Sequence, residues 1–333
     1  MANSQKINKE MALIDPLDAP QVKKPSRDGF GKALVELGAE NNDVWVLTAD
    51  VSESTRTHWF AEKFPERFVQ VGVAEQNLAG VAAGIASCGK TVFISAYGVF
   101  SPGRNWDTVR VAICYNDVSV KLHGSHTGIT VGPDGASHQA LEDIAMTRVL
   151  PNMTVLVPAD AEEARKATLE AAKCSGAAYI RTCREKMPLF TTAATPFTIG
   201  KANAYRFGDD AAIFACGPQV YESLIAAEKL EKEGISCAVI DCHTIKPIDE
   251  EAVKYWAGKT GFLVSVEEHQ RSGGLGGALS EVLSGLGKGR ACVLRRHGIN
   301  DEFCESGEPL ELLKKYRLDA DGIARFVREN FVR

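Results

Sequence analysis

The chain has 333 residues, of which 45% are hydrophobic and 24% are charged, and its formal net charge is −5. This composition is typical of a globular protein that is long enough for two domains. The weak negative charge gives no attraction to nucleic acid, and the sequence contains no basic arm interleaved with aromatic residues. No segment has the roughly 20 apolar residues of a membrane span. We therefore expect neither a nucleic-acid partner nor a membrane partner.

The N-terminal stretch and the cysteines indicate the compartment. Residues 1–25 form a polar leader that lacks the apolar core of a signal peptide. None of the nine cysteines forms a CxxC pair, and no histidine stands at the spacing of a zinc site. We expect reduced, buried thiols and a cytoplasmic location. The cysteines are residues 88, 114, 174, 183, 216, 237, 242, 292 and 304.

Short apolar strands alternate with helices from Ser26 onward. Ser26 is a candidate cap for a helix whose apolar positions, Phe30, Ala33, Leu34 and Leu37, follow helical spacing. The alternation predicts a mostly parallel sheet that is covered by helices on both faces. The predicted strands are 44–49, 68–73, 91–95, 118–124, 154–159 and 177–181, and the helices after the first are 76 onward, 104–114, 138–147 and 161–173.

The pattern lapses over 186–203, where two prolines and a run of small polar residues indicate a linker. A second alternation follows, so the predicted fold class is α/β with two mostly parallel-sheet α/β domains, over 26–185 and 204–333. Its strands are predicted at 211–216, 236–241, 261–268 and 292–296, and its helices at 218–233, 249–257, 275–285, 308–315 and 320–331.

Two glycine-rich segments are candidate ligand loops. "GGLGG" over 273–277 precedes a helix, as in nucleotide-binding loops, but it follows a late strand and lacks the ribose-binding acid. A tight structural turn is the favoured interpretation. "HGSHTGITVGPDGASHQALED" over 123–143 places His123, His126 and His138 among glycines at the end of a strand, where α/β sheets bind ligands. A metal site there would need more ligands, since only Asp134 is near.

Glu75 lies between an apolar strand and a helix of small residues, in "VGVAEQNLAGVAAGIAS". One interpretation is a favourable partner for the N–H groups of the helix N-terminus. The other is a buried carboxyl group that carries or shares a proton, because desolvation favours the neutral acid. An unpaired buried carboxylate is costly, so we expect Glu75 to face a specific polar group.

Tyr97 and Phe100 follow the strand at 91–95 with a spacing of three. Core packing is the default interpretation of such a pair. The same spacing would also present both rings on one side, as a platform for a flat heterocycle.

Six blocks of the sequence, in order, resemble the C-terminal half of transketolase over about residues 25–330. The blocks are "FVQVGVAEQNLAGVAAGIA", "GSHTGITVGPDGASHQALEDIAMTRVLPNMTVLVPAD", "AYIRTCRE", "IDCHTIKPID", "VEEHQRSGGLGG" and "ESGEPLELLKKY". The resemblance implies thiamine diphosphate as cofactor and the transfer of a two-carbon ketol unit between sugar phosphates.

The resemblance also implies residue roles. Glu75 corresponds to the glutamate that hydrogen-bonds the aminopyrimidine ring, and Tyr97 and Phe100 correspond to the rings that stack on it. The spacing from these rings to Arg104 is one residue longer than the family pattern. His126 and His138 correspond to catalytic histidines at the substrate and cofactor.

The remaining site residues are implied in the same way. Asp134 corresponds to an acid that contacts sugar hydroxyls, although Pro133 and Ala136 depart from the family's loop. Arg27, Ser54 and Arg184 are the expected phosphate contacts, since arginine can bond two phosphate oxygens at once. Asp50 corresponds to a residue near the cofactor at the subunit interface.

The family's segment that binds the diphosphate and its divalent ion is not found in this sequence. We therefore expect a split transketolase, in which a separate N-terminal subunit holds the diphosphate together with Mg²⁺ or another divalent cation. The expected assembly is an α2β2 heterotetramer of the pentose phosphate pathway. Alternatives are a beta-type subunit of a 2-oxoacid dehydrogenase, a transketolase for an unusual sugar, and a regulatory subunit without catalysis.

Overall fold

The computed structural model describes residues 6–15, 22–286 and 292–331. Its strands are β1 (Lys23–Lys24), β2 (Val44–Thr48), β3 (Phe68–Gln70), β4 (Thr91–Tyr97), β5 (Val120–Ser125), β6 (Met153–Leu156), β7 (Ala177–Arg181), β8 (Met187–Pro188), β9 (Asn203–Arg206), β10 (Ala211–Ala215), β11 (Cys237–Asp241), β12 (Thr244–Lys246), β13 (Phe262–Gln270) and β14 (Val293–Ile299). The parallel strands β7, β10 and β11 are buried along their whole length, because helices cover both faces of their sheets.

The helices pack against these strands. They are α1 (Ser26–Glu40), α2 (Ser52–Thr55), α3 (His58–Lys63), α4 (Glu75–Ser87), α5 (Trp106–Thr108), α6 (Asp143–Arg148), α7 (Ala161–Lys173), α8 (Gln219–Lys232), α9 (Glu250–Thr260), α10 (Leu275–Ser284), α11 (Pro309–Lys315) and α12 (Ala320–Asn330). Short 3₁₀ turns occupy Lys9–Met11, Pro65–Arg67 and Ile129–Asp134. None of these helices is long and apolar enough to cross a membrane.

Two large sheets form the two layers on which the fold is built. The seven-stranded sheet has the order β12-β6-β7-β5-β4-β2-β3, and the five-stranded sheet has the order β14-β13-β10-β11-β9. All pairs are parallel except β12 with β6 and β9 with β11. β1 and β8 form a separate antiparallel ribbon. The predicted fold class, two mostly parallel α/β sheets, is therefore confirmed.

The two halves of the chain interlock at β12. This strand follows β11 in sequence, yet it pairs with β6 of the other sheet, with Thr244 opposite Leu156. The largest hydrophobic cluster is continuous across the same junction and contains Val155 and Val157 together with Ile240 and Ile245. We propose the division at 26–185 and 204–333 that the sequence indicates, with one strand of the second half added to the sheet of the first and one apolar core continuous between them.

Part of the predicted leader is bound to the second half. Asn8 is held by two hydrogen bonds to β9. Its backbone N–H donates to the carbonyl of Tyr205 at 2.9 Å, and its side-chain amide donates to the carbonyl of Ala204 at 2.9 Å. Lys6 pairs with Glu231 at 2.7 Å. Ile7 forms an isolated antiparallel bridge with Arg206, so the start of this segment lies along β9, an edge strand of the five-stranded sheet.

Several predicted elements differ from the structure. Ser26 is the first residue of α1 instead of its cap, and its hydroxyl accepts a hydrogen bond from the N–H of Cys183 at 2.8 Å. The helix predicted at 104–114 begins at Trp106 and continues as a π-helix over Val109–Tyr115. The helix predicted from 138 begins at Asp143, because the carbonyl of Ala140 bonds Arg181 instead of a helical N–H.

The cysteines were predicted to be unpaired and buried; all are unpaired, but only some are buried. All nine cysteines are free, and six are buried, while Cys174 and Cys292 are half-buried. Cys88 is exposed, so the prediction of burial is wrong there. It stands just after the end of α4, outside the packed face of that helix.

A fully buried ion pair joins the end of β7 to the start of α6. The Nε of Arg181 donates to Oδ2 of Asp143 at 2.8 Å, and the hydroxyl of Tyr179 donates to the same oxygen at 2.6 Å. Nη2 of Arg181 donates to the backbone carbonyls of Ala140 and Glu268, at 3.1 and 2.9 Å. Since Glu268 lies on β13, this arginine ties the two halves together.

Replacing Asp143 by alanine should lower the free energy of unfolding by about 3–5 kcal/mol, because Arg181 would stay buried without the carboxylate that it bonds directly. Urea unfolding followed by circular dichroism measures the change. The matched control is Glu329→Ala, which removes the exposed pair with Arg325 and should leave the midpoint unchanged. A loss in Asp143→Ala no larger than in the control would contradict the role of the pair.

Candidate active site

The predicted site residues converge at the carboxyl ends of the parallel strands of the seven-stranded sheet. Tyr97 ends β4, His126 directly follows β5, and Arg184 follows β7. This edge is where α/β sheets bind ligands. A cavity of about 400 Å³ opens there. It is lined by Arg27, Glu53, Ser54, Arg56, Tyr97, His126, Asp134 and Arg184.

His126 lies at the centre of this cavity wall and is 2% exposed. Its Nε2 is 3.0 Å from Nη1 of Arg27, and its Nδ1 is 2.8 Å from the hydroxyl of Ser125. Because a guanidinium can only donate, Nε2 is the acceptor. The neutral ring therefore carries its proton on Nδ1, which donates to Ser125. Its backbone is left-handed, with φ of 57°.

Burial and the charge of the cavity keep this imidazole neutral. Burial first, and then the positive charges of Arg27, Arg184 and Arg56, lower the pKa of His126 to about 3. His123, on β5 below it, is also buried, and desolvation holds its pKa well below the usual value. The hydroxyls of Ser95 and Thr182 bond the two ring nitrogens of His123, both at 2.7 Å.

Aromatic rings form the next part of the site. The ring of Tyr97 stacks on His126 with centroids 4.0 Å apart, and Phe100 lies 6.3 Å from Tyr97 at an interplanar angle of 23°. His138 meets the edge of Phe100 at 5.3 Å. Tyr97 and Phe100 are each partly exposed.

Glu75 is the first residue of α4, is 3% exposed and faces a polar partner, as expected of a buried acid. Nη1 of Arg104 donates to its Oε2 at 2.9 Å. Among the described residues, no donor reaches its second oxygen. The guanidinium of Arg104 also lies 4.9 Å from the ring centre of Phe100. Glu75 is thus held beside the aromatic rings with one carboxylate oxygen available.

The second half of the chain shapes the loop that carries Asp134 and His138. The carboxylate of Glu268 accepts the N–H of Thr130 at 2.6 Å. A side chain at Gly128 would meet this carboxylate at 2.3 Å, so only glycine permits the approach. Arg184 then pairs with Asp134 at 3.2 Å across the cavity. The loop therefore presents its carboxylate beside three arginines.

The structure brings most, but not all, of the expected residues together. Arg27, Ser54, Tyr97, His126, Asp134 and Arg184 line one cavity, with Phe100 and His138 against its aromatic side. Asp50 is exposed after β2, and its N–H donates to Oε1 of Gln70 at 2.6 Å. No described contact joins Asp50 to the cavity.

Two arginines of the site were not singled out from the sequence. Arg56 lines the cavity and pairs with Asp28 at 2.7 Å, and Arg104 holds Glu75. Glu53 also lines the cavity. The adjacency of Arg104 to the predicted rings was the available signal, whereas nothing in the sequence around Arg56 marks it.

The "GGLGG" segment is a structural turn. The N–H groups of Leu275 and Gly276 donate to the two carboxylate oxygens of Glu267, at 2.7 and 2.8 Å. A side chain at Gly274 would meet the same carboxylate at 1.9 Å. The N-terminus of α10 therefore binds an acid of its own chain at the place where a nucleotide phosphate would bind.

Two family models match the chain, the pyrimidine-binding domain of transketolase over residues 23–188 and the C-terminal domain of transketolase over residues 200–323. A protein of Methanocaldococcus jannaschii that carries the name transketolase C-terminal section is 44% identical over 92% of this chain and 96% of its own length. A 6-deoxy-6-sulfo-D-fructose transketolase subunit of a Clostridium species is 38% identical over 91% of this chain and 93% of its own.

A solved structure shows the same likeness. A split-gene transketolase, described as an inactive beta4 tetramer, is 44% identical and superimposes with a TM-score of 0.85. The match covers 92% of this chain and 98% of that one.

The chain belongs to the transketolase family. Within that family it is a transferase subunit that corresponds to the C-terminal section of a split transketolase. The resemblance drawn from the sequence is confirmed.

The neutral histidines predict how stability depends on pH. Unfolded histidine binds a proton near pH 6.5, whereas folded His126 binds one only near pH 3. The stabilisation is therefore complete above about pH 6.5 and is lost as the pH falls toward 3, with a slope of up to about 1.4 kcal/mol per pH unit. Urea unfolding of the wild-type chain and of His126→Gln tests this.

The variant should lose less stability than the wild-type chain as the pH falls below about 6.5. Above about pH 7.5 the stability of the wild-type chain and that of the variant should change with pH in parallel. At such pH, residue His126 is neutral in both the folded and the unfolded wild-type chain, so it no longer contributes to the pH dependence. Equal slopes in acid would show that His126 is protonated in the folded chain.

Proposed function

We propose that this subunit provides the pyrimidine-side half of a thiamine diphosphate site and the sugar-phosphate site of a ketol transfer. The observation that carries the proposal is the half-satisfied carboxylate of Glu75, buried beside Tyr97 and Phe100. The arginine-lined cavity next to these rings supports a phosphate-bearing substrate.

The residues present fit the pyrimidine end of that cofactor. A buried acid with one free oxygen needs a hydrogen-bond donor or a proton, which a ring nitrogen provides. Rings that are half-exposed on one side offer a surface for a flat heterocycle. When bound, the cofactor stabilises the carbanion formed as the carbon–carbon bond of a ketose breaks.

Glu75 is proposed to hold a proton at the ring nitrogen. Its Oε2 is fixed by Arg104, which leaves Oε1 for the ligand. Because Arg104 bonds one oxygen only, the other oxygen can accept a hydrogen bond from a ligand. This free oxygen makes Glu75 the proposed acid-base group on the cofactor side.

His126 and His138 are proposed to handle protons of the sugar hydroxyls. A neutral imidazole both donates and accepts, and the low pKa keeps His126 in this form at neutral pH. The Nε2 of His126 accepts from Arg27, so a substrate hydroxyl would compete with or replace that contact. Asp134 is proposed to accept from a further hydroxyl, and Asp50 to lie near the cofactor at a subunit interface.

The phosphate of the sugar is proposed to bind to Arg27, Ser54 and Arg184, with Arg56 added from the cavity lining. Three guanidinium groups around one cavity attract a doubly charged ligand, and each can bond two phosphate oxygens. Only Asp134 and Glu53 offset them in the lining, so the cavity keeps a net positive charge.

A partner subunit is proposed to bind the diphosphate through Mg²⁺ or another divalent cation, in an α2β2 heterotetramer. The split transketolase of similar structure is described as inactive in its beta4 form, which supports the need for a second chain. We propose a cytoplasmic enzyme of the pentose phosphate pathway. The nine free thiols agree with a reducing compartment.

A second candidate substrate is an unusual sugar. The relative from Clostridium is named for 6-deoxy-6-sulfo-D-fructose, whose sulfonate is an anion, as phosphate is. An arginine-lined cavity suits a sulfonate as well as a phosphate. Assays of the reconstituted complex with a ketose phosphate and with a sulfonated ketose decide which substrate it prefers.

Glu75→Gln should reduce ketol transfer by roughly 10²–10⁴-fold in the complex reconstituted with the partner, thiamine diphosphate and magnesium, since the amide cannot exchange a proton with the ring. The assay follows the aldose product. Glu170→Gln, on the outer side of α7, should retain full turnover. Full activity of Glu75→Gln would favour the regulatory alternative, and full activity of the chain alone would refute the split site.

Arg184→Gln should raise the KM for a phosphorylated aldose by roughly 10-fold or more, because a charge-assisted hydrogen bond to phosphate is lost. The KM for the same aldose without phosphate should change little. Lys186→Gln, two residues away and exposed, is the matched control for the loss of charge. Equal effects on both substrates would place the phosphate elsewhere.

A further inference from the structure

A second cluster of polar side chains lies between the two halves of the chain. Glu163 is on α7, Asp241 ends β11, and His243 immediately precedes β12. One ligand atom from each lies within 4.8 Å of the other two. Their exposed fractions are 1%, 0% and 0%. None of the three lines the arginine-rich cavity.

The two carboxylates have no cation to balance them. Oε1 of Glu163 accepts from the hydroxyl of Tyr205 at 3.0 Å, and its Oε2 accepts from the N–H of Ala159 at 2.6 Å. Neither carboxylate oxygen of Asp241 has a donor within hydrogen-bonding distance in the described part of the chain. No described lysine or arginine pairs with either acid. Two buried charges without a counterion are strongly unfavourable.

The histidine of the cluster has the arrangement of a metal ligand. Its Nδ1 lies 3.0 Å from the hydroxyl of Thr244, and its Nε2 has no hydrogen-bond partner among the described residues. Its ring stacks on Phe197 with centroids 4.2 Å apart, which fixes the ring plane. In metal sites one imidazole nitrogen is commonly held by such an outer hydrogen bond while the other binds the ion.

We propose that Glu163, Asp241 and His243 bind a divalent cation, for which Zn²⁺ is the best match. Two carboxylates and a neutral imidazole give a net charge of −2, which the ion neutralises. Zinc accepts this mixture of oxygen and nitrogen ligands, while calcium and magnesium prefer oxygen alone. A water molecule would complete four-fold coordination around three protein ligands.

The position of the cluster makes its role structural. Glu163 belongs to the half that carries the catalytic cavity, and the other two ligands come from the second half, at the turn that leads into β12. A bound ion therefore crosslinks the two halves at the point where β12 of the second half joins the sheet of the first half. Removing it should loosen this junction without removing any residue of the proposed active site.

The test uses the full chain, dialysed against a chelator and then titrated with Zn²⁺ and with Co²⁺. We expect a single equivalent to bind, a rise in Tm of roughly 5 °C at a hundredfold excess over Kd, and d–d absorption from Co²⁺ in a site of low symmetry. Metal content of the chain before dialysis, measured by mass spectrometry, should be close to the same equivalent.

Asp241→Asn and His243→Gln should each abolish the metal-dependent rise in Tm and the Co²⁺ absorption. His58→Gln, which removes a histidine of α3 outside the cluster, should retain both. If a variant fails to fold, the titration of the wild-type chain decides alone. Absence of binding in the wild-type chain, or binding that survives both substitutions, would overturn the proposal and leave a proton shared by the two acids.

Discussion

The buried contact between Arg181 and Asp143 holds the rest of the structure in place. One guanidinium group at the end of β7 bonds a carboxylate of α6, a carbonyl of the ligand loop and a carbonyl of β13. Without it, the loop that carries His126, Asp134 and His138 would lose the hydrogen bond from Arg181 to the carbonyl of Ala140, at its C-terminal end. The site thus depends on an ion pair, Arg181 with Asp143, that is buried in the protein interior.

The same junction explains why the arginine-lined cavity depends on the second half of the chain. Glu268 on β13 reaches across to the N–H of Thr130, and Gly128 admits its carboxylate at close range. α11 packs on the 3₁₀ turn of the loop, where Leu312 and Leu313 join Ile129 in one apolar cluster. The second sheet therefore acts on the site through the shape of a loop, without contributing a side chain to the cavity lining.

Electrostatics divides the site into two regions. Around His126, positive charge from three arginines and burial exclude a further proton, so the imidazole stays neutral. Around Glu75, Arg104 balances the carboxylate from one side only. The two regions therefore suit two different ligand groups, an anion beside the arginines and a hydrogen-bond donor beside Glu75.

The sequence allowed the parallel sheets to be predicted because buried strands such as β10 and β11 are largely apolar runs between helices. β12 was missed, since three residues before a proline carry no periodic signal and their partner lies about 90 residues away. Glu75 and the rings stood out by their spacing, whereas the roles of Arg27 and Ser54 came from the family resemblance.

Arg56 could not have been found in either way. It enters the cavity only because α1 and α2 approach each other, and tertiary contacts of this kind leave no local pattern. Similarly, the unpaired state of Asp241 is visible only once α7 and β11 are seen side by side.

The exchanged strand β12 has a consequence for how such a chain can be divided. A cut in the segment 189–202 would separate the two α/β stretches that the sequence pattern suggests are independent. The first stretch would then lose β12, the edge strand that pairs with β6. An unpaired strand edge is a template for association with other chains. Fusion or shuffling of these modules therefore has to carry residues 244–246 with the first sheet, or supply another strand in their place.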